Sequence, residues 1–194
     1  MPAADKVIER GLKAALDLAA SRAWSDIPLA DIAAKAKLTL ADFHGVASRE
    51  DLVEALDGWL DKAMSAEGVP DETSARERLF EVIMRRFEAM EPYRAGLTEL
   101  LKFRETSLTH VVRLPQHRHA SAAWALASAG LDDDAGAPAS LKRIAIAFVI
   151  AQTERAWRRD RDGDFALTMA ALDKGLRRAE ERLGQFRRFT RRKT

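Results

Sequence analysis

The stretch that decides the fold is Leu29–Leu52, LADIAAKAKLTLADFHGVASREDL. Apolar residues recur at helical spacing over Leu29–Ala36, and this predicts a short amphipathic helix. Lys37-Leu38 interrupts the pattern. Thr39 is a favourable N-cap residue, so a second short helix is predicted over about Leu40–His44. Two short helices joined by a tight turn form the skeleton of a helix-turn-helix.

Further helices are predicted on both sides of this pair. Ser48 followed by Asp51 resembles a capping box, in which two residues exchange hydrogen bonds at a helix start. The helix that it opens runs over about Arg49–Ser65, with apolar residues along one side. Another helix is predicted over residues 4–22. The first 65 residues therefore contain three helices, two of them short, followed by a fourth.

Several residues of this part have the order and spacing of a known signature: Ile32-Ala33, Ala36, Leu38-Thr39, Phe43-His44, Ser48-Arg49-Glu50 and Leu52. In these residues the chain resembles the N-terminal part of TetR-type transcriptional regulators. The resemblance implies a helix-turn-helix DNA-binding head over residues 1–48. It also implies a helical ligand-binding and dimerisation domain over residues 49–194, which begins with a linker helix at 49–65. Lys37 stands where that family usually has glycine.

The resemblance further implies which residues face operator DNA: Lys35, Lys37, Thr39, Leu40, His44 and Arg49. Residues 1–65 carry eight Lys or Arg and eleven Asp or Glu, a net charge of −3. DNA affinity depends largely on neutralising phosphates, so the attraction must come from the cations near the turn. The alternative is a head in which these are ordinary surface residues that do not bind DNA.

The remainder of the chain also favours helices, and the whole protein is predicted to be all-α with about nine helices. The later helices are predicted over about 75–90, 92–105, a segment around Trp124 that ends at Gly130, 140–159, and a last helix capped by Asp164. Thr106–His119 shows no clear pattern.

The last two helices have the pattern of a dimer interface. The final one carries apolar residues in alternating steps of four and three, which is a heptad seam, and the one before it is apolar on two faces. In TetR-type proteins the last two long helices of each chain pair as a four-helix bundle, so the resemblance implies a homodimer. The predicted interface comprises Leu141, Phe148, Phe165, Met169, Leu172, Leu176 and Leu183. The alternative is that the seam packs within its own domain.

A second resemblance concerns the ligand. Residues 75–97, 124–131 and 156–181 are similar to the ubiquinone-biosynthesis lipid-binding branch of the TetR fold, which implies an apolar small molecule or lipid, such as an isoprenoid. The expected cavity lining is Met84, Phe87, Leu100, Phe103, Trp124, Phe148 and Trp157. Bulky apolar groups with few polar ones suit such a ligand. The alternative is that these side chains simply fill a core.

Other functional classes lack the residues that their chemistry needs. The chain has no cysteine, which excludes disulfides and thiolate metal sites and fits a reducing cytoplasm. His110, His117 and His119 fall in one region, but no carboxylate beside them completes a metal site. No nucleophile elbow, phosphate loop or zinc-protease motif occurs. We therefore expect a cytoplasmic protein that is not an enzyme and holds no cofactor or metal.

Two functions remain open. The first is a ligand-responsive regulator that binds operator DNA as a homodimer. The second is a lipid- or isoprenoid-binding accessory protein on the same fold that does not act on DNA. The basic tail Gln185–Thr194 has three alternative roles as well: a solvated tail, an arm that touches DNA, or a peripheral contact with an anionic membrane.

Overall fold

The structure is a computed structural model that describes residues 3–68, 73–132 and 138–191, apart from the side chains of residues 187 and 189–191. Within these residues the chain is helical and contains no strand, which confirms the all-α prediction. The α-helices are α1 Ala3–Ala19, α2 Leu29–Lys35, α3 Leu40–Phe43, α4 Arg49–Asp61, α5 Ala75–Met90, α6 Arg94–Thr106, α7 Leu108–Val111, α8 Leu114–Ser128, α9 Ala139–Trp157 and α10 Ala166–Arg191. Three 3-10 turns occur at Trp24–Asp26, Lys62–Ser65 and Glu91–Tyr93.

The described contacts divide the chain into two compact units. The first contains the residues up to Leu60 together with Met90–Leu114, and the second contains Asp61–Ala89 together with the residues from Pro115 onward. Residues 90–114 therefore share a unit with the helix-turn-helix, although the sequence boundary was drawn after residue 48. Whether residues 1–48 fold as a domain of their own stays a prediction. None of the described helices is long and apolar enough to cross a bilayer.

The core of the first unit is built on α1. Its residues Leu12 and Leu16 are fully buried, and Gly96 of α6 lies directly against the backbone of Leu16. A Cβ atom at Gly96 would be only 2.0 Å from the Leu16 carbonyl oxygen. Only glycine allows two helix backbones to approach this closely. The close packing of α6 on α1 therefore requires glycine at position 96.

The second unit is dominated by the packing of α9 on α10. Leu172 and Leu176 of α10 are buried, and Gly175 between them accommodates the side chain of Val149 from α9. Trp157 at the end of α9 is fully buried. The residues in the middle of the predicted heptad seam on α10 therefore pack in the core of the chain itself. Residues towards the two ends of the seam are exposed or half-buried.

One face of α4 carries a row of acidic residues, and each of them has a partner. Glu54 Oε1 lies 2.8 Å from His110 Nδ1, and Arg104 Nη2 donates to Asp57 Oδ2 at 2.6 Å. Asp61 pairs with Arg86 and accepts a hydrogen bond from Ser121 Oγ at 2.7 Å. Asp57, Asp61, Arg86, Arg104 and His110 are all buried. We call Glu54, Asp57 and Asp61 the α4 acid row.

Helix starts are encoded locally, and the predicted capping box at Ser48 is confirmed. The carboxylate of Asp51 accepts hydrogen bonds from the Ser48 backbone N–H at 2.8 Å and from its hydroxyl at 2.7 Å. Asp51 N–H donates back to Ser48 Oγ at 3.2 Å. The backbone hydrogen bond from Ser48 is the main reason why the pKa of Asp51 lies below its ordinary value, and the hydroxyl adds to it. The same box recurs at Ser74 and Glu77 before α5.

The stretch Thr106–His119 contains two helices that the sequence pattern does not reveal, α7 and the first part of α8. Large apolar side chains in this region face solvent, with Leu108 83% and Val112 73% exposed. The apolar residues of this stretch do not mark a buried helix face, so the helical periodicity of apolar residues does not predict these helices.

We expect Gly96→Ala to lower the free energy of unfolding by about 3 kcal/mol, because the new methyl group would force α6 away from α1. Gly58→Ala is the matched control. Gly58 is a helical glycine, and a Cβ atom there would meet nothing within 4 Å, so alanine should add up to about 1 kcal/mol of stability. Urea unfolding followed by circular dichroism measures both. Equal effects of the two substitutions would contradict the close contact.

We expect Asp51→Asn to lower stability at neutral pH, and we expect the deficit to shrink in acid. A carboxyl whose folded pKa is depressed stabilises the protein above its unfolded pKa, and this contribution is lost as the pH falls through the folded value. The difference between wild type and variant should therefore close below the ordinary value of 3.8. Urea midpoints measured from neutral pH to about pH 3 test this. Glu50→Gln is the control, since Glu50 is an exposed acid on the same turn without a capping bond.

Candidate nucleic-acid interface

The turn between α2 and α3 has the geometry of a Schellman motif. Leu38 N–H donates to the Ala33 carbonyl at 2.9 Å, and Lys37 N–H donates to the Ala34 carbonyl at 3.1 Å. Lys37 takes the left-handed conformation, with φ 53°. A side chain in this region costs roughly 1 kcal/mol relative to glycine. The turn therefore forms with lysine in place of the usual glycine, and it places a cation at the tip of the helix-turn-helix.

Arg10 of α1 offsets part of this strain. One of its guanidinium nitrogens donates to the Ala36 carbonyl at 2.6 Å and to the Lys37 carbonyl at 3.0 Å. These carbonyls end α2 and lack helical partners, so a cation there satisfies them and interacts favourably with the helix dipole. Arg10 was not among the predicted site residues. It lies 26 residues before Ala36 in the chain, and only the fold brings the two together.

α3 is a single turn held at both ends. Thr39 and Asp42 form a reciprocal capping box, with the Asp42 carboxylate 2.7 Å from both the Thr39 backbone nitrogen and its hydroxyl oxygen. The Thr39 backbone hydrogen bond is the main cause of a lowered Asp42 pKa, followed by the hydroxyl. Phe43 is buried, and a Cβ at Gly11 would lie 2.9 Å from its ring. The absence of a side chain at Gly11 thus leaves space for the Phe43 ring of α3.

Five of the six predicted DNA-contacting residues lie around this turn with exposed or half-buried side chains: Lys35, Lys37, Thr39, Leu40 and His44. Leu40 is 53% exposed. The Lys35 ammonium lies 3.7 Å from the Asp17 carboxylate, with both groups about half exposed, so that pairing is weak. The accessible surface therefore presents two lysines, a histidine, a hydroxyl and an apolar group together.

The sixth residue, Arg49, is placed differently. Its guanidinium donates to the Ile27 carbonyl at 3.0 Å and lies 4.9 Å from the centre of the Trp24 ring. Its side chain is 24% exposed. The prediction that Arg49 faces DNA stays a prediction, and in this structure its guanidinium is engaged within the protein. Arg49 fixes the start of α4 over the aromatic core of the first unit.

The residues of the expected ligand lining lie in both units. Phe87, Leu100 and Trp157 are fully buried, whereas Trp124 is 47% and Phe148 57% exposed. Leu100 and Phe103 belong to the first unit, where the Phe103 ring packs against Trp24 with centroids 6.2 Å apart. The prediction that these seven residues line one cavity stays a prediction, and each unit by itself holds only part of the set. Of the seven, Met84 lines an open groove in the second unit.

That groove, which we call the α5–α10 groove, has a volume of about 1060 Å³. It is lined by Ala63, Ala66, Glu67, Arg76, Glu77, Phe80, Glu81, Met84, Arg85, Glu88, Ala89, Met169 and Asp173. These residues come from the 3-10 turn after α4 and the residues just beyond it, from α5 and from the first turns of α10. The groove therefore combines an apolar floor with many charged groups.

The predicted dimer interface stays a prediction. Leu172 and Leu176 are buried within the chain itself. The other five predicted residues are exposed or half-buried: Leu141, Phe148, Phe165, Met169 and Leu183. A second groove of about 530 Å³ runs between α9 and α10, and we call its walls the α9–α10 face. They include Leu141, Ile144, Phe148, Arg178, Arg182, Leu183 and Phe186.

The remaining predictions concern histidines and the tail. No group of three His, Asp or Glu side chains within 3–68, 73–132 and 138–191 is placed to share a metal ion. His110 is buried beside Glu54, whereas His117 and His119 are half-buried on α8. Phe186 is 39% exposed. The side chain of Arg187, those of residues 189–191, and residues 192–194 lie outside the described residues, so the role of the tail stays a prediction.

Comparison with solved structures identifies the fold. The chain is similar to the crystal structure of the TetR transcriptional regulator from Nitrosomonas europaea ATCC 19718, with a TM-score of 0.72 and 18% sequence identity. The similarity covers 90% of this chain and 98% of that one. No protein-family model and no curated protein matches the sequence. Nothing in these comparisons bears on the ubiquinone-linked branch. The likeness extends over nearly all of both chains, and the protein therefore has the fold of a TetR transcriptional regulator.

Proposed function

We propose that the protein is a ligand-responsive, TetR-like transcriptional regulator that binds operator DNA as a homodimer. The observation that carries the proposal is the helix-turn-helix itself. Its turn forms through a Schellman motif, its second helix is capped and anchored, and polar and cationic side chains remain accessible around it. The helices hold these accessible side chains in fixed positions without burying them, and such a surface is suited to binding a partner.

The accessible residues divide into two kinds of DNA contact. Lys35 and Lys37 can neutralise phosphates, which position a protein on the duplex without reading sequence. His44 offers a hydrogen bond to a base edge, and Leu40 offers an apolar surface to a thymine methyl group. The Thr39 hydroxyl is engaged in the capping box with Asp42. Arg10 and Arg49 do not add to these contacts, because their guanidinium groups are engaged with backbone carbonyls. Each head therefore has about two lysines for phosphates.

The α9–α10 face supports a dimer. Ile144 is 60% and Phe148 57% exposed on α9, and both line a groove whose floor is apolar. Contiguous apolar surface of this kind marks an interaction site in a soluble protein. A two-fold dimer presents two heads, and it matches a DNA site with two half-sites. We therefore assign this face to the second copy.

Control by a ligand would act through α4. This helix follows α3 in the chain, and its acid row is tied to residues of α5, α6, α7 and α8. A ligand that favours one arrangement of those helices would change the free energy of α4 in its present position. The coupling can be no larger than the difference in ligand affinity between the two arrangements.

We expect Lys37→Ala to weaken binding to all DNA sequences by similar factors. A dimer would lose two phosphate contacts, so the slope of log K against log salt should become shallower by about two. Leu40→Ala should instead change the preference among sequences. Fluorescence anisotropy with fragments from around the protein's own gene measures both effects. Lys62→Ala is the control, because Lys62 is an exposed cation outside the helix-turn-helix.

Arg49→Ala separates the two assignments of that residue. It should lower the free energy of unfolding, because it removes the hydrogen bond to Ile27 and the contact with Trp24.

If no fragment is bound by the wild type even at low salt, the proposal fails. The accessory protein that binds a lipid without acting on DNA would then be the better account.

We expect the wild-type chain to be dimeric and Phe148→Asp to shift it to monomer, because the new carboxylate would have to be buried between the copies. Leu108→Asp is the control, since Leu108 is 83% exposed on α7 and does not line the α9–α10 face. Size-exclusion chromatography with light scattering gives the mass. A wild-type monomer at tens of micromolar would overturn the assignment of this face.

A further inference from the structure

The α5–α10 groove has an apolar floor. Met84 is buried beneath it, Phe80 is half-buried, and Met169 is 39% exposed on the α10 side. Ala63 and Ala89 are small residues that leave the groove wide. Methionine side chains are flexible and polarisable, so a floor of this kind adapts to apolar bodies of varied shape.

The rim of the groove carries charges of mainly one sign. The acidic lining residues are Glu67, Glu77, Glu81, Glu88 and Asp173, and the basic ones are Arg76 and Arg85. Both arginines have carboxylate partners. Arg85 pairs with Glu81 at 3.1 Å and donates to the carbonyls of Glu67 and Gly68, and Arg76 lies 3.7 Å from Glu180. The Arg85 guanidinium is therefore occupied, whereas the exposed pairing of Arg76 with Glu180 is weak. Asp173 is paired with Arg177, so the net negative charge of the rim rests on Glu67, Glu77 and Glu88.

Glu88 contributes to this excess without a partner of its own. It is exposed near the end of α5 and forms no hydrogen bond or ion pair within the described residues. A charge on the wall of a concave, partly apolar surface acts through a lower effective dielectric than one on an open surface. Glu88 is therefore the group best placed to select the charge of an occupant.

We infer that the α5–α10 groove binds an amphiphilic organic cation, a compound with an apolar body and one permanently positive head. The apolar body would cover Phe80, Met84 and Met169, and the head would lie among the rim carboxylates. An acyl carboxylate of the same length would meet like charge at the rim, and a neutral lipid would gain nothing from it. The volume of about 1060 Å³ accommodates a compound of drug or detergent size.

The location connects this site to the proposed regulation, and that connection rests on the proposed function. Ala63 lies within the 3-10 turn Lys62–Ser65, which follows α4 directly, and Ala66 lies just beyond that turn. An occupant that packs on both residues would stabilise one position of the C-terminal end of α4. Binding itself does not depend on this connection and can be measured without DNA.

The test is isothermal titration calorimetry of the full chain with three probes of equal chain length: decyltrimethylammonium, decanoate and decanol. The two ionic probes are kept below their micelle concentrations and decanol below its solubility. We expect saturable binding of decyltrimethylammonium at one site per chain, weakening as salt is raised. Decanoate and decanol should bind at least about tenfold more weakly. Comparable affinity for all three probes, or no binding of the cation at millimolar concentration, would overturn the inference.

Variants locate the site. Glu88→Gln should weaken cation binding about five-fold and Glu88→Lys more strongly, because they remove and then reverse the charge on the wall. Glu105→Gln, an exposed glutamate on α6 outside the groove, should leave it unchanged. Circular dichroism confirms that each variant is folded. Cation binding that is insensitive to Glu88 would place the ligand elsewhere and also refute the site.

The DNA titration is kept separate so that the two proposals can fail independently. Cation binding without any DNA binding would leave the groove assignment intact and refute the regulator. DNA binding without cation binding would do the reverse. If both occur, decyltrimethylammonium should change the DNA affinity of the wild type and not that of Glu88→Lys.

Discussion

The pairing of the α4 acid row with its buried partners is the interaction on which the rest of the structure depends. Asp57 and Arg104 are both almost fully buried, as are Asp61 and Arg86. Such pairs add little net stability compared with apolar residues, but removing one partner leaves a buried charge and costs about 3–5 kcal/mol. Each pair therefore fixes the position of the part of α4 that carries its aspartate. The Asp57 pair lies within the first unit and the Asp61 pair within the second, so each unit holds its own part of the helix.

The basic residues of the first unit serve two different purposes. Arg10 and Arg49 satisfy backbone carbonyls and brace the turn and the start of α4, whereas Lys35 and Lys37 stay accessible to solvent. Arginine suits the first role because its planar group donates several hydrogen bonds in fixed directions, and lysine suits the second as a hydrated point charge. The acids divide in a similar way, since Asp42 and Asp51 cap helices with their charges intact. Net charge alone therefore says little about the surface that faces a partner.

The second unit presents two grooves of opposite character. The α9–α10 face is mainly apolar and includes Arg178 and Arg182, whereas the α5–α10 groove has acids in excess around its rim. Both grooves use residues of α10, but from different turns of this long helix. One helix can thus line two different grooves, because its 26 residues present several surfaces along and around the axis.

The sequence by itself determined the helical class, most helix positions and the capping boxes, because these depend on residues within a few positions of one another. α5 occurs at the predicted residues, Ala75–Met90, and Ser48 pairs with Asp51 as expected. Only the tertiary structure decided which apolar residues stay exposed and which fill a core. Leu172 and Phe148 look alike in a periodic pattern, yet one is buried and the other exposed. It also decided that Arg49 braces Trp24 and that Arg10 holds the turn, since contacts between residues distant in sequence depend on packing.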